Sequence, residues 1–367
     1  EAISGFTSTG FTIFENIKNV DQSLILWRSS TQWIGGLYFL FFLILIFSNK
    51  QFKYKMTDLT YSGDGSINSE GNIKSLLSKI FIFYSILSFI IFLSLNFTDV
   101  RMFNSLNLSM TLISAGGFLP SNSLDNIINS NPKKIVFILS LLISMLNFFL
   151  ILNIFEKKII KREHKEDFYL IILSLIFVLL VYFNDYNGLD LVISVLSSLS
   201  NSGISLINSE NNLSLYFLLI TVLGGSLISN SSGIKFMRIY ILLKISSLEM
   251  LKLISPNSVV SKNIFNTEKK ITDENIKISF LIFISFFISL FILSGILTVD
   301  NIDFENAFKL SILTITNTTT SAMYGIKEIG FANLLTSSKL SLILFMIIGK
   351  IELLSIFLII KKLFFKN

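Results

Sequence analysis

Residues Phe103 to Phe118 read FNSLNLSMTLISAGGF, a semi-apolar run ending at Ile113 and then a turn of small residues, Ser114, Ala115, Gly116 and Gly117. A helix that crosses a bilayer needs about 20 apolar residues. This run is too short to cross, so it predicts a half-helix that enters the bilayer before the small residues return the chain as extended backbone. Such backbone is tolerated at membrane depth only where it is buried in protein or lines a cavity. The same pair of elements recurs at Leu191 to Leu199 followed by Asn201, Ser202, Gly203, Ile204 and Ser205. It recurs again at Phe304 to Ile315 followed by Thr316, Asn317, Thr318, Thr319 and Thr320. The chain itself opens on the turn, as Ser8, Thr9, Gly10, Phe11 and Thr12.

Apolar runs flank these elements at Leu24 to Phe47, Ile80 to Leu95, Ile135 to Phe155, Phe168 to Phe183, Leu213 to Leu243, Ile278 to Val299 and Leu340 to Ile360. Each is read as a span, and the run from Leu213 is interrupted by Gly224, Gly225 and a polar stretch through Gly233. The fold predicted is an all-α polytopic membrane protein. It comprises four pseudo-repeats of helix, re-entrant pore half-helix and filter loop, and helix, around a central pore. The first repeat covers 1–48 and begins at its half-helix, so the sequence is read as N-terminally incomplete. The others cover 80–156, 168–243 with the broken helix, and 278–361. Segments 49–79, 157–167 and 244–277 are read as cytoplasmic linkers.

Composition agrees. Of 367 residues, 52% are hydrophobic and 15% charged, against about 25% charged in a soluble chain. The net charge of +6 is no nucleic-acid signal, because the lysines and arginines concentrate at 50–79, 157–165, 235–277 and the tail from Lys361. Acidic residues such as Asp99, Asp125, Asp185, Asp190, Asp300 and Asp303 fall between them. This alternation is the positive-inside pattern, with the basic regions in the cytoplasm. Cysteine is absent, which excludes disulfides and thiolate chemistry. The one histidine, His164, lies in a basic loop, and neither a zincin nor a phosphate-binding motif is present, so an enzyme is not expected.

Re-entrant loops around one axis can present backbone carbonyls that replace the hydration shell of a potassium ion. Gly10, Gly116 and Gly203 suit that task because a Cβ makes the required backbone angles costly. A single glycine beside a helix more often serves packing; recurrence beside equivalent polar turns is what points to a filter. Half-helices ending there would direct the negative ends of their dipoles at a cation. A sodium-coupled carrier shares the broken helix and stays open as an alternative.

A resemblance sharpens this reading. SGFTSTGFT at Ser4 to Thr12, followed by Trp27, Arg28, Ser29, Thr31, Gln32, Trp33, Ile34, Gly35 and Gly36, resembles the first pore loop and helix of the TrkH/KtrB/HKT superfamily of potassium uptake proteins. SAGGF at Ser114 to Phe118 looks like its second loop. The break ending Ser232, Gly233, Ile234 and Lys235 looks like its broken pore-lining helix, and Gly349, Lys350, Ile351 and Glu352 look like the charged segment of its last helix. The resemblance implies inward potassium transport across the bacterial inner (cytoplasmic) membrane, with no covalent cofactor and K+ as the permeating ion. It implies a homodimer in the lipid bilayer on a cytosolic, TrkA/KtrA-like nucleotide-binding regulatory subunit. Carried over by position, the filter is Thr9 and Gly10, Ala115 and Gly116, Ser202 and Gly203, and Thr318 and Thr319. The gate is Gly224, Gly225, Ser229, Asn230, Ser231, Ser232 and Gly233, and Lys350 is a cationic barrier.

The chain departs from that pattern in two places. Its fourth loop reads TNTTTS, with Thr318 or Thr319 where glycine is expected, and its break carries Asn230, Ser231 and Ser232 in place of glycines. The first departure leaves potassium-over-sodium selectivity open and admits a weakly selective pore. For Lys350 the alternative to a barrier is an ion pair with Glu352 or Glu328. Lys235 and Arg238 are read as marking the cytosolic helix end, Arg28 as snorkelling or facing the pore, and Trp27 and Trp33 as interfacial or packing anchors.

Overall fold

The computed structural model describes residues 1–48, 73–155, 165–182, 188–207, 211–255, 261–265, 270–326 and 330–351. His164, Glu328, Glu352 and the tail from Lys361 lie outside them. The described residues are helical, with one isolated β-bridge between Asn263 and Lys270.

The helices fall into the repeated order. The first repeat has the short helix α1 (Ala2–Phe6) and the long α2 (Gln22–Ser48); the second has α3 (Ile73–Phe97), the half-helix α4 (Met102–Ile113), α5 (Asn131–Met145) and α6 (Phe148–Phe155). The third has α7 (Lys165–Val181), the half-helix α8 (Gly188–Ser200), α9 (Asn211–Leu223) and α10 (Phe236–Ile254). The fourth has α11 (Asp273–Val299), the half-helix α12 (Phe304–Ile315) and α13 (Thr336–Ile351). Helices α3, α7 and α11 thus start inside the stretches read as linkers.

Polarity is inverted relative to a soluble bundle. On α11 the large apolar side chains Phe280, Ile284, Phe287, Ile288 and Phe291 are exposed, whereas Ser279, Ser285, Ser289 and Ser294 are buried. That is the arrangement expected of a helix with one face towards hydrocarbon, where large apolar side chains are at home and small hydroxyls turn towards the protein. Lys74–Phe97 and Asp273–Val299 are long and apolar enough to cross a membrane by themselves. The half-helices are buried instead. Every residue of α8 from Asp190 to Ser200 except Val192 is buried, and two of its serines bond back into the helix, Ser194 Oγ donating to Asp190 O and Ser198 Oγ to Ser194 O. Such back-bonding lets a hydroxyl-rich helix go where no water reaches.

One predicted span is corrected. The run from Ile135 to Phe155 is two helices bent by 108°. Leu146 is extended, and the backbone groups freed there are taken by distant partners: Asn147 N donates to Asp167 Oδ1 at 2.8 Å and Phe148 N to Ile228 O at 2.8 Å. The bend therefore docks on the break in the third repeat, and neither proline nor glycine causes it.

The half-helices of repeats two to four pack on helices of their own repeat and on the helix that follows the loop of the repeat before: α4 on α2, α8 on α5, and α12 on α9. Helix α1 packs on α13, so the ring closes. The four half-helix C-termini consequently point at one region.

Candidate ion pathway

The half-helices end in the same backbone motif. Ser8, Ala115, Asn201 and Asn317 all adopt left-handed backbone, with φ of 59°, 54°, 63° and 49°. For a residue other than glycine this costs roughly 1–2 kcal/mol, so four repetitions mark a conformation enforced by the loop on its C-terminal side. The N–H groups around them return to the helix end. Thr9 N reaches Ser4 O at 2.9 Å, Gly116 N reaches Thr111 O at 2.8 Å and Thr318 N reaches Leu313 O at 2.9 Å. This is the capping pattern that helix ends normally close with glycine.

The motif fixes the register between loops. Thr9, Gly116, Ser202 and Thr318 share one level, and Gly10, Gly117, Gly203 and Thr319 share the next. Spacing alone paired Gly116 with Gly10 and Gly203; the structure puts Gly117 there, one residue later. A Cβ on Gly10 would stand 2.9 Å from Gly117 Cα and 3.0 Å from Thr319 Cβ. A Cβ on Gly117 would stand 2.3 Å from Thr319 Cβ and 2.7 Å from Ser202 O, and one on Gly203 2.6 Å from Thr319 O. The four loops meet at this level with no room for a further side chain. Gly116 serves a different contact, since a Cβ on it would meet Gln32 Oε1 at 2.3 Å, and Gln32 also accepts from Phe118 N at 3.3 Å. Thr319 is the one residue of this level with a side chain, and its hydroxyl donates to Gly10 O at 2.8 Å.

In contact with the ends of the second and third half-helices lies the break between α9 and α10. Gly224 and Gly233 have φ of 66° and 79°, and a Cβ on Gly224 would stand 2.3 Å from Ser232 O, so the chain doubles back on itself there. All of 224–232 is buried, and its backbone groups have partners in several elements. Ser226 N donates to Met145 O at 3.0 Å, Leu227 N to Glu166 Oε1 at 2.9 Å and Ser232 N to Asn201 Oδ1 at 3.1 Å. Asn230 Nδ2 reaches the end of half-helix α4 at Ile113 O, 2.6 Å away.

Two lysines hold the carbonyls of this segment. Lys350 Nζ donates to Asn230 O at 3.2 Å, so the lysine of the last helix touches the break. Lys235 Nζ donates to Ser229 O at 3.3 Å and to Ser231 O. Both ammonium groups stand near the Phe39 ring, at 4.7 Å for Lys350 and 5.9 Å for Lys235. Lys235 and Arg238, read as marking the cytosolic helix end, do stand at the start of α10, but each is only 1% exposed. Lys235 takes a φ of 77° that turns it inward, and Arg238 donates to Ile234 O at 3.3 Å. Nor does Arg28 snorkel: it is buried, paired with Glu1 at 2.6 Å and set 4.1 Å from the Phe118 ring, tying the first half-helix to the second loop.

Sequence reasoning named Gly117 and Gln32 within motifs without giving them a site role, and missed Asn147 and the buried pair Glu166 and Asp167. The last two sit within a stretch rich in lysine and arginine. Their position at the start of an apolar run, where acidic side chains favour a helix N-terminus, was the available signal.

No protein-family model matches the chain. The Uncharacterized cation transporter MJ1485 of Methanocaldococcus jannaschii is 27% identical over 272 residues, covering 71% of this chain and 55% of that protein, so the match spans little more than half of that relative's length. The Trk system potassium uptake protein TrkH of Escherichia coli is 21% identical over 389 residues, covering 100% of this chain and 79% of that protein. TrkG of the same organism is 23% identical over 390 residues, covering 100% and 78%. Among solved structures, the potassium transporter TrkH from Vibrio parahaemolyticus superposes with a TM-score of 0.81 at 18% identity, over 97% of this chain and 76% of that one. Along its whole length the chain is thus similar in sequence to Trk system potassium uptake proteins, and it shares the fold of the TrkH structure.

Proposed function

We propose that the chain is the pore-forming subunit of a potassium uptake system in the bacterial cytoplasmic membrane, crossing the bilayer many times. The observation that carries this reading is the meeting of four half-helix C-termini, in one backbone register, at Gly10, Gly117, Gly203 and Thr319. Loops so arranged can offer a cation carbonyl oxygens in place of water, and the half-helix dipoles add negative potential. The names of the relatives, potassium uptake protein and cation transporter, support the same choice of ion. On the far side of the filter the break at 224–233 is the gate. Its carbonyls are held by Lys235 and Lys350, whose charges oppose a passing cation until the segment moves. The subunit works as a homodimer on a cytosolic nucleotide-binding regulatory partner, as the resemblance implies.

A second reading, a pore that discriminates weakly between sodium and potassium, is favoured by one observation. Thr319 occupies with a hydroxyl and a methyl the place that three loops leave to glycine, and it engages the Gly10 carbonyl.

The test is potassium uptake by the full-length protein in cells lacking their own uptake systems. Wild type should restore growth at low potassium. Gly117→Ala should cut uptake on the order of 10- to 100-fold, the consequence of about 1–3 kcal/mol of overpacking against backbone at the narrowest level. Uptake indifferent to Gly117→Ala would mean that the convergence of the loops is packing and not a path.

A further inference from the structure

Loops 3 and 4 carry asparagine at the left-handed position, and both amides are used in the same way. Asn317 Nδ2 donates to Met346 O at 2.8 Å, on the second helix of its own repeat, and to Thr9 Oγ1 at 3.0 Å, on the next loop around the ring. Asn201 Nδ2 donates to Thr221 O at 2.8 Å, on its own second helix, and to Thr318 Oγ1 at 3.2 Å, again on the next loop. Thr9 and Thr318 stand at the same filter level. Their hydroxyls are engaged on the other side by Thr7 Oγ1 at 2.7 Å and Thr316 Oγ1 at 2.9 Å. Ser8 and Ala115 occupy the asparagine position in the other two loops, where Ser8 Oγ makes no hydrogen bond among the described residues and alanine has none to make. The braces therefore exist at two junctions of the ring, from loop 3 to loop 4 and from loop 4 to loop 1.

All four side chains are buried, at 0% or 1% exposure. Water cannot substitute for a partner there, so each bond fixes the direction of a hydroxyl that faces the filter level. The two asparagines differ in one respect. Asn201 Oδ1 accepts from Ser232 N, inside the break, at 3.1 Å, whereas Asn317 Oδ1 has no hydrogen-bond partner among the described residues. One amide thus spans the third half-helix, the fourth filter loop and the gate segment.

We propose that Asn201 and Asn317 are positioning residues that hold the filter hydroxyls of the following loop, and that Asn201 also couples the geometry of the filter to the state of the broken helix. The proposal rests on the four-loop filter reading above. When the break moves, Ser232 N–H leaves Asn201 Oδ1, the amide is free to turn, and Thr318 loses the donor that orients it. Ion discrimination then changes with gating at the third and fourth loops. Asn317 lacks that link and holds Thr9 in both states.

Double-mutant cycles in the full-length protein, recorded in planar bilayers, test both parts. The pairs are Asn317→Ala with Thr9→Val and Asn201→Ala with Thr318→Val. The readings are the potassium-to-sodium permeability ratio, from the reversal potential under bi-ionic conditions, and the open probability. Each single substitution should lower the ratio about five-fold, the size of one lost neutral hydrogen bond. Each double should lower it by less than the two singles combined, because the shared bond is lost only once. Open probability should shift in Asn201→Ala and stay in place in Asn317→Ala. Asn201→Asp keeps an acceptor for Ser232 N–H and should therefore move the ratio more than the open probability. Should an alanine variant fail to fold, the near-isosteric Thr9→Val and Thr318→Val carry the first part, and Asn201→Asp carries the second. Additive cycles, or valine variants with wild-type ratios, overturn the braces. Equal shifts of open probability at Asn201 and Asn317 overturn the coupling. A wild-type protein that passes no monovalent cation overturns the filter reading and this proposal with it, whereas wild-type current with unmoved variants overturns this proposal alone.

Discussion

Replacing Thr319 with glycine completes the set of glycines at the level where the loops meet, with two effects of opposite sign. The hydroxyl lost in Thr319→Gly donates to Gly10 O at 2.8 Å. While that bond stands, a cation at this level must compete with it for one of its oxygen ligands. A neutral hydrogen bond of this kind is worth about 1 kcal/mol net, so its removal should improve coordination by about five-fold. The gain falls mainly to potassium if discrimination depends on how many carbonyls surround the ion. Against this, Thr319 is not in left-handed backbone, and glycine there adds unfolded-chain freedom costing about 0.5–1 kcal/mol. The variant should therefore be more selective and less stable at once. The assay is the bi-ionic reversal potential of the full-length protein in planar bilayers, paired with thermal unfolding in detergent. A ratio that rises while the melting temperature falls supports the assignment. A ratio that falls or stays unchanged would refute it, because Thr319 would then be a structural residue whose hydroxyl no ion competes with.

Lys350→Met removes an ammonium that engages Asn230 O and the Phe39 ring; even about 12 Å from a passing ion, at an effective dielectric of about 20, such a charge adds roughly 1.4 kcal/mol to the barrier. Inward current should rise on the order of tenfold in single-channel or whole-vesicle flux measurements, and a reduced current in a folded variant would remove Lys350 from the path. Glu166→Ala leaves the buried Leu227 N–H without its 2.9 Å partner and should cost about 1–3 kcal/mol. Glu166→Gln keeps an acceptor and should cost less, the comparison being made by thermal unfolding in detergent.

What could be read from the sequence is what composition and periodicity encode. A run too short to cross, such as Phe103 to Ile113, followed by small polar residues, has few physical homes other than a re-entrant half-helix. The broken run from Leu213 was legible for the same reason. The register within the second loop was not, since Gly116 and Gly117 are adjacent and spacing accepts either. The choice is made by the hydrogen bond from Gly116 N to Thr111 O, which belongs to the helix end. Lys235 and Arg238 followed a charge trend that holds for exposed helix ends, and the reversal of the chain at Gly233 carries them inside. The bend after Met145 has no proline or glycine to announce it; it exists because Asp167 and Ile228, far along the chain, accept the N–H groups that a straight helix would have satisfied.

On the pore reading proposed above, the two lysines that hold the break constrain how a gate there would open. Ser229, Asn230 and Ser231 present their carbonyls to two ammonium groups in a region closed to solvent. If the segment swung away by itself, each lysine would be left buried with acceptors removed, at a cost of several kcal/mol per charge. A motion that expensive would keep the path shut. Opening must therefore either carry the lysines with the segment, through the α10 and α13 backbones, or admit water to solvate them where they stand. Water admitted for the lysines is also what a potassium ion needs on leaving a filter that has stripped its hydration shell. On that reading, moving the break and rehydrating the ion would be a single event, and the lysines proposed to close the path would be the side chains whose charge requires that it open wet.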